Sequence, residues 1–461
     1  MKLISVKEYE RLNSQELNKR LKEYEDIENT DDYFNELINF IDEFNSFHNN
    51  IDSYNLMYVR KNRKLGKHVI FRNYVGLIQL KNKLQIEILP KIDFPESDCV
   101  EEKEVKKNNK NIFLNMIKSL KDFEGKSFNE AHLKIDRMNL YEVFINMYLN
   151  ELLRLVKKGL HSNYIPIEDN LNVLKGKLLI KDQIRKNYVN KAKFYVEYDE
   201  YQLNKPMNKI IKSTLLKLEL YSTDNNNKKM IRRLLLYFEL VEPSLNYDAD
   251  FNKIVFNRSN KDYEWIINWS RVFLKNNSFT NFSGSSKSTA LLFQMDKLFE
   301  SFVAKHIKSQ FSIDFEVSLK DRKYFLFDQP QKFRLEPDIV LRNKMNNKII
   351  LLDTKWKNLI DNKNKNYDIS TADMYQMYAY SQKYSTENNK VEVWLLYPLN
   401  QEMFEYENKI ISYIGCNDRK IDTVVNVYFI NLANVEKSVE FLKKEILERT
   451  NLKDILISNE V

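Results

Sequence analysis

The chain has 461 residues, enough for two to four domains at about 100–200 residues each. Its 73 basic and 65 acidic residues give a formal net charge of +8, which is compatible with binding nucleic acid. Only 7 residues are glycine, and the closest two, Gly66 and Gly76, are ten positions apart. Neither G-x-x-x-x-G-K-[ST] nor G-x-G-x-x-G fits that spacing, so a P-loop NTPase and a Rossmann dehydrogenase are excluded. We therefore expect the chain itself to bind no nucleotide.

Cysteine and histidine are too few and too scattered for a structural zinc site or a disulfide framework. The two cysteines, Cys99 and Cys416, lie far apart, and the five histidines include no pair at zinc-ligand spacing. The N-terminal segment has no apolar signal-peptide core, and no stretch approaches the roughly 18 apolar residues of a membrane span. We expect a protein of the reducing cytoplasm that does not enter a membrane.

The first part of the chain changes from a helical to a β-type pattern. Residues 1–50 are charged, lack proline and glycine, and carry apolar residues such as Leu37 and Ile41 at helical spacing, so a helical extension is predicted. Short β-type runs then predict a meander, at residues 54–59, 69–80 and 84–89. Residues 93–111 are charged and nearly free of apolar side chains, which predicts a linker or insertion.

The middle of the chain is predicted to be mostly helical. Residues 112–160 have helical periodicity. Gly159 is a residue typical of a helix C-cap, so the last helix of this stretch is predicted to end there. Residues 165–220 mix short strands with a helix, and more helix is predicted at residues 228–240 and 261–274. The Asn- and Ser-rich residues 276–288 indicate a domain boundary.

Beyond that boundary, helices and strands alternate, which is typical of an α/β domain. The predicted order is helix 289–309, strands 312–318, 333–342 and 348–356, helix 371–385, strands 391–397 and 424–430, and helix 433–447. The chain is therefore predicted to be an α+β multidomain protein with an N-terminal β-meander and helical region. Its predicted parts are a helical extension at 1–52, a middle region at 53–280 and an α/β domain at 281–461.

One segment, FRLEPDIVLRNKMNNKIILLDTKWKN at residues 333–358, brings ionisable residues together. Two β-type runs flank a polar turn, so a hairpin is predicted. A turn centred on 345–346 places Asp338 opposite Asp353, whereas a turn centred on 346–347 places it opposite Lys355. Asp353 and Lys355 are two apart in one strand, so their side chains share a face. In either register two carboxylates and an ammonium converge on one patch.

This patch suits metal-assisted hydrolysis of a phosphodiester. Asp338 and Asp353 would hold Mg²⁺ (or Mn²⁺), which polarises a phosphate and lowers the pKa of a bound water. Lys355 would orient that water or stabilise the negative charge of the transition state. The spacing D-x(14)-D-x-K, with Pro337 before the first aspartate, fits the PD-(D/E)-x-K nuclease pattern. The alternative is a plain ion pair of Asp353 with Lys355 or Lys357 on a solvated edge strand.

Two further features favour the nuclease interpretation. Gln376 and Tyr380 lie four apart on a predicted helix and resemble the Q-x-x-x-Y element that positions DNA in RecB-like nucleases. Glu300, on an earlier amphipathic helix, occupies the place where many nucleases of this superfamily put a carboxylate beside the metal. The alternatives are an aromatic core stripe for the first feature and a solvated surface glutamate for the second.

Stretches in collinear order resemble the McrC family, the nuclease subunits of McrBC-type modification-dependent (5-methylcytosine) restriction systems. They include LYEVFINMYLNELLRLVKKGL, EPDIVL, LLDTKWK and DMYQMYAY, and in full they cover residues 74–92, 112–120, 140–160, 170–178, 199–218, 291–303, 336–341, 351–357 and 373–380. The resemblance covers most of the chain from about residue 70 onward, whereas residues 1–50 and 93–111 match nothing in it.

This resemblance implies a C-terminal restriction-endonuclease-like domain that cuts double-stranded, modified DNA in defence against phage. It also implies that the N-terminal region docks on an McrB-like AAA+ GTPase and stimulates it. The missing glycine-rich phosphate loop agrees, since a nucleotide-driven step then needs another chain. Two alternatives remain open, a non-cleaving adaptor that activates the GTPase and a stand-alone RecB-like nuclease.

Overall fold

The computed structural model describes residues 2–22, 31–47, 57–63, 66–80, 84–91, 102–117, 119, 140–258, 260–275, 289–386, 391–417 and 420–457. Helices and several separate sheets occur in these ranges, which confirms the predicted α+β class. Among the helices in these ranges, none is long and apolar enough to cross a membrane.

The N-terminal part contains both strands and helices. Its elements are β1 (Lys2–Lys7), β2 (Arg11–Asn13), α1 (Ser14–Leu21), α2 (Asp31–Phe47), β3 (Met57–Asn62), β4 (Gly66–Phe71), β5 (Tyr74–Gln79) and β6 (Leu84–Leu89). The prediction of helix is wrong for residues 2–13, because Ile4 and Val6 alternate into the core with the two-residue period of a strand. Helix begins only after Asn13, whose side chain accepts a hydrogen bond from the backbone N–H of Glu16 at 2.8 Å.

The middle part is a helical core with a small sheet attached. Its elements are α3 (Glu102–Ile117), α4 (Leu140–Lys157), β7 (Asn163–Leu171), β8 (Lys177–Leu178), α5 (Ile180–Lys186), β9 (Phe194–Gln202), α6 (Pro206–Tyr221), α7 (Asn225–Tyr237), α8 (Tyr247–Asn252) and α9 (Tyr263–Lys275). Gly159 has a φ of +98° just after α4, which confirms the predicted C-cap. Residues 93–111 were predicted as a linker or insertion, and α3 covers them from residue 102 onward, so an irregular linker is wrong there and an insertion stays a prediction. The predicted boundary at residues 276–288 lies outside the described ranges.

The C-terminal part has the predicted alternation of helices and strands. Its elements are β10 (Thr289–Gln294), α10 (Met295–Phe311), β11 (Phe315–Leu319), β12 (Phe325–Asp328), β13 (Gln331–Arg334), β14 (Ile339–Asn343), β15 (Ile349–Thr354), α11 (Thr371–Tyr384), β16 (Glu392–Pro398), β17 (Ile410–Asn417), β18 (Lys420–Ile430) and α12 (Val435–Ile457). Residues 333–342 were predicted as one strand, but the strand is interrupted at 335–338, where Pro337 has no N–H to pair.

A six-stranded sheet organises this C-terminal part. The strand order is β11-β14-β15-β16-β18-β17, in which β15, β16 and β18 run parallel and the remaining pairs run antiparallel. Consecutive residues of β15 face opposite cores, because Leu351 packs with α11 and Leu352 packs with α10 and α12. The sheet is therefore covered by helices on both faces, and β15 is an interior strand.

A four-stranded sheet joins distant segments of the chain. Its order is β1-β6-β5-β10, with β1 parallel to β6 and β10 antiparallel to β5. The predicted helix is wrong for 289–294, where Leu292 packs in the N-terminal core and Phe293 in the helical core, as in a strand covered on both faces. Strand pairing therefore crosses both predicted domain limits, at 52/53 and at 280/281. The division into three parts stays a prediction.

Candidate active site

The β14–β15 hairpin has the first of the two predicted registers. Ile339 pairs with Leu352 and Arg342 with Ile349, so one more step places Asp338 opposite Asp353. Asp338 lies just before β14, and its Oδ2 accepts hydrogen bonds from the Thr354 backbone N–H at 2.7 Å and the Thr354 hydroxyl at 2.6 Å. The hairpin thus brings its two aspartates together at the C-terminal end of β15, an edge at which ligands bind in many α/β sheets.

Asp353 and Lys355 form an ion pair inside the domain. The Lys355 Nζ lies 2.5 Å from Asp353 Oδ2, and the Asp353 residue is only 2% exposed. The alternative was an ion pair on a solvated edge strand. The ion pair is present, but it is buried and β15 is not an edge strand, because it lies between β14 and β16. The other lysine, Lys357, pairs instead with Asp373 at 2.5 Å.

A hydrogen-bonded chain on α11 holds the ammonium of Lys355. Lys355 Nζ donates to Gln376 Oε1 at 3.0 Å, and Gln376 Nε2 donates to the Tyr380 hydroxyl at 2.7 Å. The Tyr380 hydroxyl in turn donates to the backbone carbonyl of Glu336 at 3.0 Å, two residues before Asp338. The structure thus connects both predicted helix residues to Lys355. Their role in positioning DNA stays a prediction.

Burial and neighbouring charges shift the pKa values of Asp353 and Lys355 at this site. Burial and then the negative charge of Asp338 raise the pKa of Asp353 to about 7, although the nearby Lys355 lowers it. Burial alone would lower the pKa of Lys355, but the charge of Asp353 raises it above its ordinary value. The ammonium is therefore retained as a cation beside two converging carboxylates.

Glu300 lies at the margin of this arrangement. Its Oε1 is 3.1 Å from Lys320 Nζ, and burial, followed by the charge of Asp338, raises its pKa. Among the residues that the structure describes, no group of three His, Cys, Asp or Glu side chains could hold a metal ion as arranged. The three-carboxylate metal set of Asp338, Asp353 and Glu300 stays a prediction.

The donor set nevertheless suits a hard divalent cation. Carboxylate oxygens are the ligands that Mg²⁺ prefers, usually one or two from the protein together with water and phosphate oxygens. The hydrogen bonds from Thr354 reach Oδ2 of Asp338, and the ion pair of Lys355 is with Oδ2 of Asp353. A divalent cation would relieve the repulsion that raises the pKa of Asp353.

Two residues of the site escaped sequence reasoning. Thr354 fixes the Asp338 carboxylate but occupies the variable position of D-x-K, where residue type carries no signal. Asp373 is buried, pairs with Lys357 and accepts a hydrogen bond from the Tyr397 hydroxyl at 3.4 Å. Its position three residues before Gln376 on one helix face could have revealed it.

Comparison with known proteins identifies the family. The family described as "McrBC 5-methylcytosine restriction system component" matches residues 69–398, so the chain belongs to it, which confirms the resemblance noted above. The chain is 23% identical over 293 residues to the type IV methyl-directed restriction enzyme EcoKMcrBC of Escherichia coli K12, covering 60% of this chain and 81% of the relative.

A solved structure shares the fold. McrC bound to McrB AAA+ hexamers in a tetradecameric assembly from Thermococcus gammatolerans superposes with a TM-score of 0.71 at 19% identity, over 97% of this chain and 99% of that one. A second structure, of the Thermococcus gammatolerans McrBC complex, gives a TM-score of 0.48 at 22% identity, over 65% of this chain and 85% of that one. The first match shows that the chain has the same fold as a protein of known structure over nearly its whole length.

Proposed function

We propose that this chain is the Mg²⁺-dependent DNA endonuclease subunit of a GTP-driven, modification-dependent restriction complex. The observation that carries the proposal is the convergence of Asp338, Asp353 and Lys355 at the end of an interior strand. Such a set fits the PD-(D/E)-x-K pattern, and membership of a restriction-system family gives phosphodiester hydrolysis as the reaction to expect.

Each residue of the site would have its own role in phosphodiester hydrolysis. Asp338 and Asp353 would hold the cation, which when bound polarises the scissile phosphate and lowers the pKa of a water. Lys355 remains charged and stabilises the negative charge that develops on the phosphate, or orients the attacking water. Gln376 and Tyr380 hold the Lys355 ammonium in place through their hydrogen bonds.

The hairpin of β12 and β13 supports nucleic acid as the substrate. It leads directly into Asp338 and exposes two aromatic rings, Phe327 at 56% and Phe333 at 72%, with centroids 5.8 Å apart. Lys332 and Arg334 are exposed on the same hairpin. Exposed basic side chains contact phosphates without sequence preference, and exposed rings can stack on bases that leave the duplex.

The sheet of β7, β9 and β8 with α5, residues 163–202 and here called the arm, supports docking on a partner. It exposes large apolar side chains, which mark interaction surfaces when they are grouped. They are Tyr164, Val173, Leu174, Ile180, Ile184, Tyr188, Val189 and Tyr201. We assign this surface to an McrB-like AAA+ GTPase, the kind of protein that the structural relative binds. The arm by itself would also suit the non-cleaving adaptor.

Plasmid cleavage tests the proposal. Modified and unmodified DNA would be incubated with Mg²⁺, with and without the AAA+ partner and GTP. We expect cutting only when motor, GTP and modification are all present. Asp353→Ala and Lys355→Ala should each lower cutting by at least about 10²-fold while GTPase stimulation persists. Asp314→Ala, which removes an ion pair with Lys443 elsewhere in the same domain, serves as the control and should cut normally.

The outcomes separate the alternatives. Cutting by both the Asp353 and the Lys355 variants would overturn the site assignment. Cutting by this chain without the motor would identify a stand-alone nuclease. No cutting under any condition, with stimulation of the GTPase intact, would identify the adaptor.

A further inference from the structure

A second buried polar cluster lies beside the candidate active site. Glu8 follows β1, Lys91 follows β6, and Trp356 comes directly after Lys355. Because β1 and β6 are parallel neighbours that pair Lys7 with Leu89, Glu8 and Lys91 leave the four-stranded sheet at the same end. Glu8 is only 3% exposed, an unusual burial for a carboxylate.

Three hydrogen bonds connect Glu8, Lys91 and Trp356. The indole Nε1 donates to Glu8 Oε2 at 3.1 Å, and the Lys91 backbone N–H donates to the same oxygen at 3.2 Å. The Lys91 ammonium donates to the backbone carbonyl of Trp356 at 3.4 Å. Both the side chain and the main chain of Trp356 are thus held by the N-terminal sheet.

The held tryptophan is attached to the candidate catalytic lysine. The Lys355 backbone N–H donates to the Leu396 carbonyl of β16 at 2.9 Å, so its main chain is fixed on one side by the six-stranded sheet. The main chain of Lys355 then continues into Trp356, whose ring centroid lies 5.5 Å from that of Phe299 on α10. The four-stranded sheet and the six-stranded sheet therefore fix the main chain on either side of one residue.

The free-energy cost of burying the Glu8 carboxylate indicates that this residue does more than fill space in the core. A buried carboxylate is expensive unless its oxygens are paired, and within the described residues no hydrogen-bond partner is present for Glu8 Oε1. Burial raises the pKa of Glu8, while the charge of Lys91 and the Trp356 hydrogen bond lower it. An apolar residue would fill the same space at less cost but could not accept a bond from Trp356.

We propose that Glu8, together with Lys91, is a positioning group that fixes Trp356 and through it Lys355. It thereby couples the N-terminal sheet to the nuclease site. This inference rests on the proposed function, since it assigns a reaction to Lys355. It identifies a residue of the N-terminal part, far from the D-x-K motif in sequence, as one that sets the rate of cleavage.

Variants of the two ends of the hydrogen bond test the inference in the assembled complex with motor, GTP, Mg²⁺ and modified DNA. Glu8→Ala should lower kcat about tenfold with an unchanged KM for DNA, since small misplacements at a reacting centre can cost up to about 10²-fold. Glu8→Gln should restore most of the rate, because its amide oxygen accepts the same two N–H bonds. Trp356→Phe should match Glu8→Ala, and the double variant should be no slower than either single one.

Glu87→Ala is the matched control. Glu87 is also buried in the N-terminal sheet, but its carboxylate binds Ser5, Lys110 and the Leu140 backbone N–H. That variant should lower stability without lowering the kcat of the folded protein.

The inference fails if Glu8→Ala cuts at the normal rate, if Glu8→Gln is as slow as Glu8→Ala, or if the Glu8 and Trp356 effects multiply. Failure of the proposed function is a different result, in which Asp353→Ala and Lys355→Ala still cut.

Discussion

The two sides of the β15 end carry acid–base clusters of similar composition and different design. On the α11 side, Asp338 and Asp353 converge on the ammonium of Lys355. On the α10 side, Glu8 meets Lys91 and an indole N–H. The first cluster places two carboxylates beside one ammonium, whereas the second places one carboxylate beside one ammonium and an indole N–H.

This difference in balance fits a reactive site in the first cluster, as proposed above, and a positioning site in the second. A buried carboxylate whose ionisation is opposed by burial and by a second carboxylate makes a place for a divalent cation and for the charge changes of hydrolysis. One carboxylate that accepts two N–H bonds makes a rigid connection, because each bond limits the movement of the groups it joins. Residue types alone would not distinguish the two clusters.

The largest expected effect contrasts the two lysines. Lys355→Ala should lower single-turnover cleavage in the complete complex by at least about 10²-fold, because it removes the charge beside the reacting phosphate. Lys91→Met should lower it by about tenfold or less, because it removes the bond to the Trp356 carbonyl and the charge beside Glu8, and both act on the position of Trp356. Equal losses for both variants would show that the two clusters do not differ in the way proposed.

The second prediction concerns the stability of the metal-free protein. The folded-state pKa of Asp353 is raised to about 7, so between about pH 4 and pH 7 the folded chain binds a proton that the unfolded chain does not. The free energy of unfolding therefore falls as the pH rises through that range. A shift from 3.8 to about 7 corresponds to roughly 4 kcal/mol at 1.36 kcal/mol per pKa unit, and the loss of the ion pair with Lys355 offsets part of it. Asp353→Asn should therefore stabilise the protein in EDTA at pH 8 by on the order of 2 kcal/mol.

Urea unfolding at several pH values measures this effect. The gain from Asp353→Asn should shrink towards pH 4, and millimolar Mg²⁺ should stabilise the wild-type chain but not the variant. A variant that is less stable than wild type at pH 8 in EDTA would mean that Asp353 is neutralised by its surroundings and is not poised for a cation.

The hairpin and its neighbours show how far sequence alone can reach. Because hairpin pairing is local and the strand period is two, the sequence predicted the hairpin and limited it to two registers. The structure selects the one that places Asp338 opposite Asp353. The contact of Glu8 with Trp356 spans 348 positions, and no local pattern encodes it. The strand at residues 2–7 was missed for the same reason, since it exists by pairing with β6.

The smallest expected effect separates two roles for the α11 residues. Tyr380 is only 2% exposed, and its hydroxyl joins Gln376 to the Glu336 carbonyl, so we expect it to act on Lys355. Tyr380→Phe removes both bonds, but only the one from Gln376 acts on Lys355. It should therefore lower kcat about threefold, within the roughly 0.5–1.5 kcal/mol of one hydrogen bond, and leave the KM for DNA unchanged. Tyr375→Phe on the same helix, at a position 73% exposed, is the matched control and should change neither constant. A raised KM with normal kcat in Tyr380→Phe would instead assign this helix to DNA positioning, as the Q-x-x-x-Y resemblance predicts.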